Sequence, residues 1–274
     1  MVVESESTKD ESVIDVQDLV TYYGTRKILD QVNLQVLAGE IMVIMGGSGS
    51  GKSTLLRHML ALNKPAAGAI RLFGKDPNKL SAPQLHAIRQ RMGVSFQNGA
   101  LFNSLNVEEN VAFPLREHTR LDENTIRIMA RMKLEVVNLA GFEKLMPSQL
   151  SGGMVKRAAL ARAIVMDPSL LFFDEPSAGL DPVVSADLDE LILRLRDAMK
   201  VTIVVVTHEL DSAFRIADRI LVLDKGKVLI LGTVDEVKSS DNQRVQNLLN
   251  RKSEDVIVNP DEYLQRLTDD LAGL

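Results

Sequence analysis

Four short apolar runs, Ile41–Met45 and residues 170–173, 201–206 and 220–223, limit the fold more than any other feature of this chain. Each is strand-length, nearly free of polar alternation, and ends at polar residues. A strand of that kind must be covered on both faces, as in a parallel sheet packed between helices. Helical signals separate the runs. Asp181-Pro182 joins an N-cap residue to a first-position proline and predicts a helix reaching about Met199. Between about residues 81 and 167 the pattern is largely helical, which predicts a helical subdomain inserted into an α/β core. Shorter β-prone stretches at 13–16 and 33–36 surround a polar turn at Gly24-Thr25, and Asp224-Lys225-Gly226-Lys227 predicts a hairpin into 228–231.

The first apolar run leads directly into Gly46-Gly47-Ser48-Gly49-Ser50-Gly51-Lys52-Ser53, followed by Thr54 and a helical pattern. This is G-x-x-x-x-G-K-[ST] in the strand–loop–helix context that gives the motif its meaning. Glycines let backbone N–H groups turn inward around phosphate oxygens, and the helix start adds unpaired donors and the positive end of its dipole. Lys52 supplies a mobile cation for the β- and γ-phosphates, and Ser53 a hydroxyl for Mg²⁺. The chain is therefore expected to bind a nucleoside triphosphate.

The run at 170–173 ends in Asp174-Glu175. Ligands sit at the carboxyl ends of strands in a parallel sheet, so both acids are expected beside the phosphate loop. Asp174 would hold Mg²⁺ through water, and Glu175 would orient or deprotonate the attacking water. Alone, an Asp-Glu pair at a strand end is an ordinary solvated feature; the phosphate loop is what makes it catalytic. A third strand ends at Thr207-His208, where an imidazole has either a capping role or a place near the γ-phosphate. A second glycine cluster, Ser151-Gly152-Gly153-Met154, precedes an alanine- and leucine-rich helical run. It is an ordinary capped helix start or a second anion site.

Taken in order, the phosphate loop, Gln97, Leu150-Ser151-Gly152-Gly153-Met154, Asp174-Glu175, residues 177–181 and His208 resemble the ATP-binding cassette (ABC) family over roughly residues 13–240. The resemblance implies a P-loop NTPase fold: a RecA-like core, an antiparallel β subdomain and a helical subdomain at about 96–168. It implies ATP and Mg²⁺ as cofactors and an ATPase reaction. Two copies would pack head to tail, so that Ser151, Gly152 and Gly153 act on ATP held by the opposite chain. Gln97 would reach Mg²⁺ and the attacking water and link the site to a membrane permease. Asp181 would lie across the subunit interface, beside its N-cap role. Tyr23 would stack on adenine, with Tyr22 a competing choice. Met154 stands where most family members carry glutamine, which removes a polar contact expected at the ribose but leaves the phosphate contacts.

Within that family, residues 96–114 and 146–164 resemble the ATPase subunits of the Mla (maintenance of lipid asymmetry) phospholipid transporters. This implies a complex with a permease, a lipid-binding MCE-domain protein and a small STAS-domain protein, at the cytoplasmic face of an inner membrane. Composition agrees. Net charge is -5, which disfavours a general affinity for nucleic acid, and the absence of cysteine excludes disulfides and thiolate metal sites. The first dozen residues form an acidic, polar tail without a signal-peptide pattern, and no apolar run approaches the ~20 residues needed to span a bilayer. Membrane contact is thus expected only through partners.

Residues 241–274 are expected to form an extension. Asn259-Pro260-Asp261-Glu262 reads as a helix start, and Leu264, Leu267 and Leu271 would line one face, docking either on the partner ATPase, with Tyr263 as a contact, or on the chain's own core. Rival readings are a cassette ATPase of DNA repair, a translation factor, or another transport or cell-division cassette. The first lacks its heptad repeats here; the second would need two sets of motifs.

Overall fold

The computed structural model describes residues 12–251. Strands β1 (Ser12–Tyr23), β2 (Arg26–Leu37) and β4 (Ala67–Leu72) form an antiparallel sheet in the order β2-β1-β4. The second sheet holds β3 (Ile41–Met45), β5 (Met92–Ser95), β6 (Leu170–Asp174), β7 (Thr202–Val206), β8 (Arg219–Asp224) and β9 (Lys227–Thr233). Its order is β5-β6-β7-β3-β8-β9, parallel except for the β8–β9 hairpin.

All four apolar runs are strands of this sheet, and their side chains divide between its faces. Ile41, Val43 and Met45 join one core with Ile203, Val205, Leu171 and Phe173; Met42 and Ile44 join the other with Val204, Val206, Leu170 and Phe172. The first core is closed by α3 (Val107–His118), α4 (Glu123–Val136), α5 (Gly152–Ile164), α6 (Pro182–Met199) and α7 (Leu210–Ile216); the second by α1 (Lys52–Met59), α2 (Ala82–Gln90) and the antiparallel sheet. Burial of each large aliphatic side chain contributes about 1.5–3 kcal/mol, so these two layers dominate the stability of the fold. The short helices α8 (Val234–Lys238) and α9 (Gln243–Leu249) follow β9.

Two details differ from the sequence pattern. Strands β1 and β2 run far beyond 13–16 and 33–36, because register shifts between Val16 and Leu19 and between Leu19 and Thr21 break the two-residue alternation. Strand β5 interrupts the helical stretch. It is only four residues long and contains Gly93, where a Cβ would lie 2.2 Å from the Ala163 carbonyl oxygen; glycine lets α5 pack directly on the strand. Of the tail expected over the first dozen residues, Ser12 already belongs to β1; residues 1–11 and the helix expected from Asn259 lie outside the described residues.

Candidate active site

One row of the parallel register builds the site. Ile44 pairs with Val206, and Val206 with Asp174, so three strands end level with one another. The chain beyond them continues the ladder by two further bonds, Thr207 N to Ile44 O at 3.1 Å and Glu175 N to Val206 O at 2.8 Å. Gly46, Glu175 and His208 therefore leave the sheet along the same edge.

At that edge the loop after β3 turns into α1. A Cβ on Gly46 would lie 2.1 Å from the Leu223 carbonyl oxygen and 2.7 Å from Ser50 Oγ, so the loop presses against β8 where only glycine fits. Lys52 Nζ donates to the carbonyl oxygens of Gly46, at 2.7 Å, and Gly47, at 3.0 Å. No side chain caps α1 and no acidic residue occupies its first turn, which leaves its N-terminal donors for an anion. The Ser50 hydroxyl is buried without a hydrogen-bond partner among the described residues. A phosphate group fits that set of donors. Gly49, Ser50, Gly51, Lys52, Ser53 and Thr54 also line a cavity of about 240 Å³ with Tyr23, Arg26 and Ile28. Tyr23, rather than Tyr22, borders this space, and Thr54 Oγ1 donates to its hydroxyl at 3.5 Å.

Asp174 and Glu175 occupy different environments, as expected for neighbours at a strand end. Asp174 makes no ion pair among the described residues; burial first, then the Glu175 carboxylate, holds its carboxyl above the usual range, against Lys156, Lys52 and Arg57. Glu175 sits in the left-handed region at φ 49°, and its carboxylate accepts from the backbone N of His208 at 3.3 Å while the imidazole Nδ1 lies 2.9 Å away. Burial lowers the ammonium pKa of Lys52, and Glu175 and Asp174 oppose that shift. Ser53 Oγ and the carboxylate of Asp174, with the amide oxygen of Gln97, are hard oxygen ligands of the kind that would suit Mg²⁺.

Ser151 caps α5, its Oγ accepting from Met154 N at 3.3 Å, and both Ser151 and Gly152 are exposed. None of residues 151–154 lines the phosphate-loop cavity. They lie instead against the segment that starts α6. A Cβ on Gly153 would meet Val184 Cγ1 at 2.9 Å, one on Gly152 Leu180 at 3.8 Å, and Asp181 caps α6 at Val183 N and Val184 N, both 3.1 Å. Met154 is half-buried and packs on the helical core, so its side chain belongs to the hydrophobic interior of this chain. The glycine cap and the Asp181 loop thus form one exposed edge, separate from the chain's own phosphate loop.

Gln97 is exposed, next to the exposed Phe96. Its loop is braced by the fully buried Asn110, which accepts from Phe102 N at 2.7 Å and donates to Phe102 O and Leu105 O. The residue that the motifs did not reveal is Lys156. It is 8% exposed, and its ammonium donates to the backbone oxygens of Gln97 and, at 3.0 Å, Glu175. Its only signal in the sequence is a lysine on the helical stripe that Leu160 and Ala163 place inside.

A family model described as ABC transporter matches residues 29–178. The chain is 45% identical over 244 residues to the intermembrane phospholipid transport system ATP-binding protein MlaF of Haemophilus influenzae, covering 89% of this chain and 92% of that protein. It is 42% identical over 237 residues to the probable ribonucleotide transport ATP-binding protein mkl of Mycobacterium leprae, covering 86% and 68%. A dimeric ATP-binding cassette in a post-hydrolysis state, bound to ADP and Pi, superposes with a TM-score of 0.74 at 32% identity, over 81% of this chain and 98% of that one. With the family model spanning more than half of its residues and these relatives most of the remainder, the chain belongs to the ABC transporter family, as an ATP-binding and ATP-hydrolysing subunit.

Proposed function

We propose that this ATPase drives a phospholipid transporter of the Mla type, closing as a head-to-tail dimer around two ATP molecules. The observation that carries the reading is the split site: the phosphate loop, Asp174, Glu175 and His208 share one sheet edge, whereas none of residues 151–154 borders the phosphate-loop cavity. A second copy related by a twofold axis would supply the missing half, giving two equivalent sites.

In the closed dimer, Gly46, Gly47, Ser48, Gly49, Ser50, Gly51, Lys52, Ser53 and Thr54 cradle the triphosphate, and Tyr23 lies against adenine. Ser151 and the amides of Gly152 and Gly153 bond the terminal phosphate held by the opposite chain, with Asp181 across the interface. Charge-assisted hydrogen bonds are worth about 1.5–3 kcal/mol each, so a few per site shift the dimer equilibrium strongly. Ser53, Gln97 and Asp174, the last through water, would hold Mg²⁺, which when bound neutralises charge developing on the phosphate oxygens. Glu175 accepts a proton from the attacking water, and His208 orients Glu175 through its backbone N–H and Nδ1, while Nε2 lies 3.5 Å from Glu209 Oε1. Loss of the terminal phosphate removes the bridge and opens the dimer.

No helix among the described residues is long and apolar enough to cross a membrane. The chain would work at the cytoplasmic face of the inner membrane through a permease seated near Gln97. There a cavity of about 510 Å³, with Phe96, Phe102, Phe113 and Pro114 in its wall, offers an apolar seat. An MCE-domain protein and a STAS-domain protein would complete the complex, with no nucleic acid. The 45% identity along 92% of a phospholipid-transport ATPase supports the cargo class.

Purification of the tagged chain from solubilised membranes tests this reading. Recovery of a permease with an MCE-domain protein, and ATP-dependent movement of labelled phospholipid in vesicles carrying that complex, are expected. A permease recovered without a lipid-binding protein, in a complex that moves ribonucleotides instead, would replace it with the activity named for the mycobacterial relative.

A further inference from the structure

Helix α5 touches both halves of the split site. Its first turn carries the exposed Ser151 cap, and one turn further in lies Lys156. The ammonium of that lysine reaches two backbone oxygens on separate elements, Gln97 after β5 and Glu175 after β6. Two further donations bind the Gln97 loop to the same helix: Arg162 guanidinium to Gly99 O at 2.8 Å and to Ala100 O at 2.7 Å. Gly99 permits this approach, since a Cβ there would meet Val155 Cγ1 at 2.7 Å.

Glu175 is the residue for which such a tether matters most. A non-glycine residue in the left-handed region is unfavourable by roughly 1–2 kcal/mol and persists only where its surroundings hold it. Its backbone N is fixed by Val206 O, its carboxylate by His208, and its carbonyl by Ala178 N at 3.3 Å and, more closely, by Lys156 at 3.0 Å. Only the last of these ties it to a different layer of the fold. A buried cation bonded to carbonyl oxygens makes a stiffer link than a neutral donor, and the nearby carboxylates of Asp174 and Glu175 offset its desolvation.

We infer that Lys156 is a positioning residue that couples the two ATP sites of the dimer. It ties the cap that α5 lays on the partner's nucleotide to the Gln97 and Glu175 carbonyls of the chain's own site. When α5 moves to engage the opposite terminal phosphate, both carbonyls move with it, so closure at one site sets the catalytic carboxylate at the other. This inference rests on the proposed dimer, in which the Ser151 cap acts across the interface.

The test is ATP hydrolysis by the assembled transporter carrying Lys156→Met, read as kcat, KM and Hill coefficient. ATP affinity should stay within about twofold, kcat should fall about tenfold or more, and cooperativity should drop toward a Hill coefficient of one. Lys156→Arg, which keeps a cationic donor, should recover part of both. A parental Hill coefficient in Lys156→Met, whatever its kcat, would reduce the lysine to local support and overturn the inference. If Lys156→Met does not fold, Lys156→Gln removes the charge and keeps an N–H donor, and the same criterion applies. Ser151→Ala in the same assay separates the two ideas. Cooperativity lost with Ser151→Ala but retained with Lys156→Met rejects only the coupling; cooperativity untouched by Ser151→Ala rejects the composite site and the coupling with it.

Discussion

His208 Nδ1 lies 2.9 Å from Glu175 Oε1, while the backbone N of the same histidine donates to Glu175 Oε2 at 3.3 Å. One residue at the end of β7 therefore contacts both oxygens of the carboxylate at the end of β6, and its ring remains largely exposed at 58%. On the proposed mechanism, the pair fixes the direction in which Glu175 accepts a proton. His208→Ala keeps one of these contacts, the backbone donor, and loses the ring. Turnover should fall about 100-fold with ATP affinity changed little, as measured by steady-state hydrolysis beside equilibrium nucleotide binding.

Glu175→Gln preserves the shape of the side chain and removes its basicity. It should bind ATP normally, slow hydrolysis by about 100-fold or more, and accumulate a closed dimer visible by light scattering with ATP. Parental hydrolysis by this variant would contradict the role given to Glu175.

The phosphate loop allows a paired steric test. Gly46→Ala forces a Cβ against Leu223 O and Ser50 Oγ, whereas a Cβ on Gly47 meets nothing within 4 Å. Gly46→Ala should lower Tm and weaken ATP binding about tenfold or more, while the fold should tolerate Gly47→Ala with little change in Tm. Thermal melts and titration with a fluorescent ATP analogue read both.

Asp174 gives a stability effect opposite in sign to its effect on activity. Its carboxyl is held above the ordinary range by burial and by Glu175, so the folded chain binds a proton that the unfolded chain has already released. Stability therefore falls as pH rises from the ordinary carboxylate value through the folded one. Asp174→Asn should abolish hydrolysis yet raise Tm of the nucleotide-free protein by about 2 °C at neutral pH, with the gain shrinking as pH falls through that window.

His58 reverses the sign. Its ring is fully buried on α1, with Nε2 2.7 Å from Thr21 Oγ1 on β1, and burial holds its pKa below 6.5. The stability associated with the neutral ring is complete above that value and lost as pH falls from it through the folded pKa. His58→Gln, which does not titrate, should flatten the dependence of Tm on pH below about 6.5.

Much of the candidate site was legible because its parts are local. A glycine-rich turn between an apolar strand and a helix start dictates its own backbone, so residues 46–53 announced a phosphate loop without help from the rest of the chain. Asp174-Glu175 and Thr207-His208 could be located for a similar reason, since each follows a continuous apolar run whose burial on both faces implies a parallel sheet. Strands β1 and β2 were underestimated because their bulges disturb the alternation that marks a half-buried strand, and β5 was missed because four residues with a glycine carry almost no periodic signal.

Sequence alone determined the residue types, the order of the motifs and the presence of a sheet that had to be covered on both sides, because these follow from short-range geometry and from hydrophobicity. Tertiary structure decided which strands became neighbours, and with them the contact of His208 with Glu175 across 33 residues of chain. It likewise set Tyr23 rather than Tyr22 beside the phosphate loop, turned Met154 into the core, and brought Lys156 to two carbonyls on separate elements. Contacts of this kind depend on the register of paired strands and on how closely one helix packs, which no local pattern encodes.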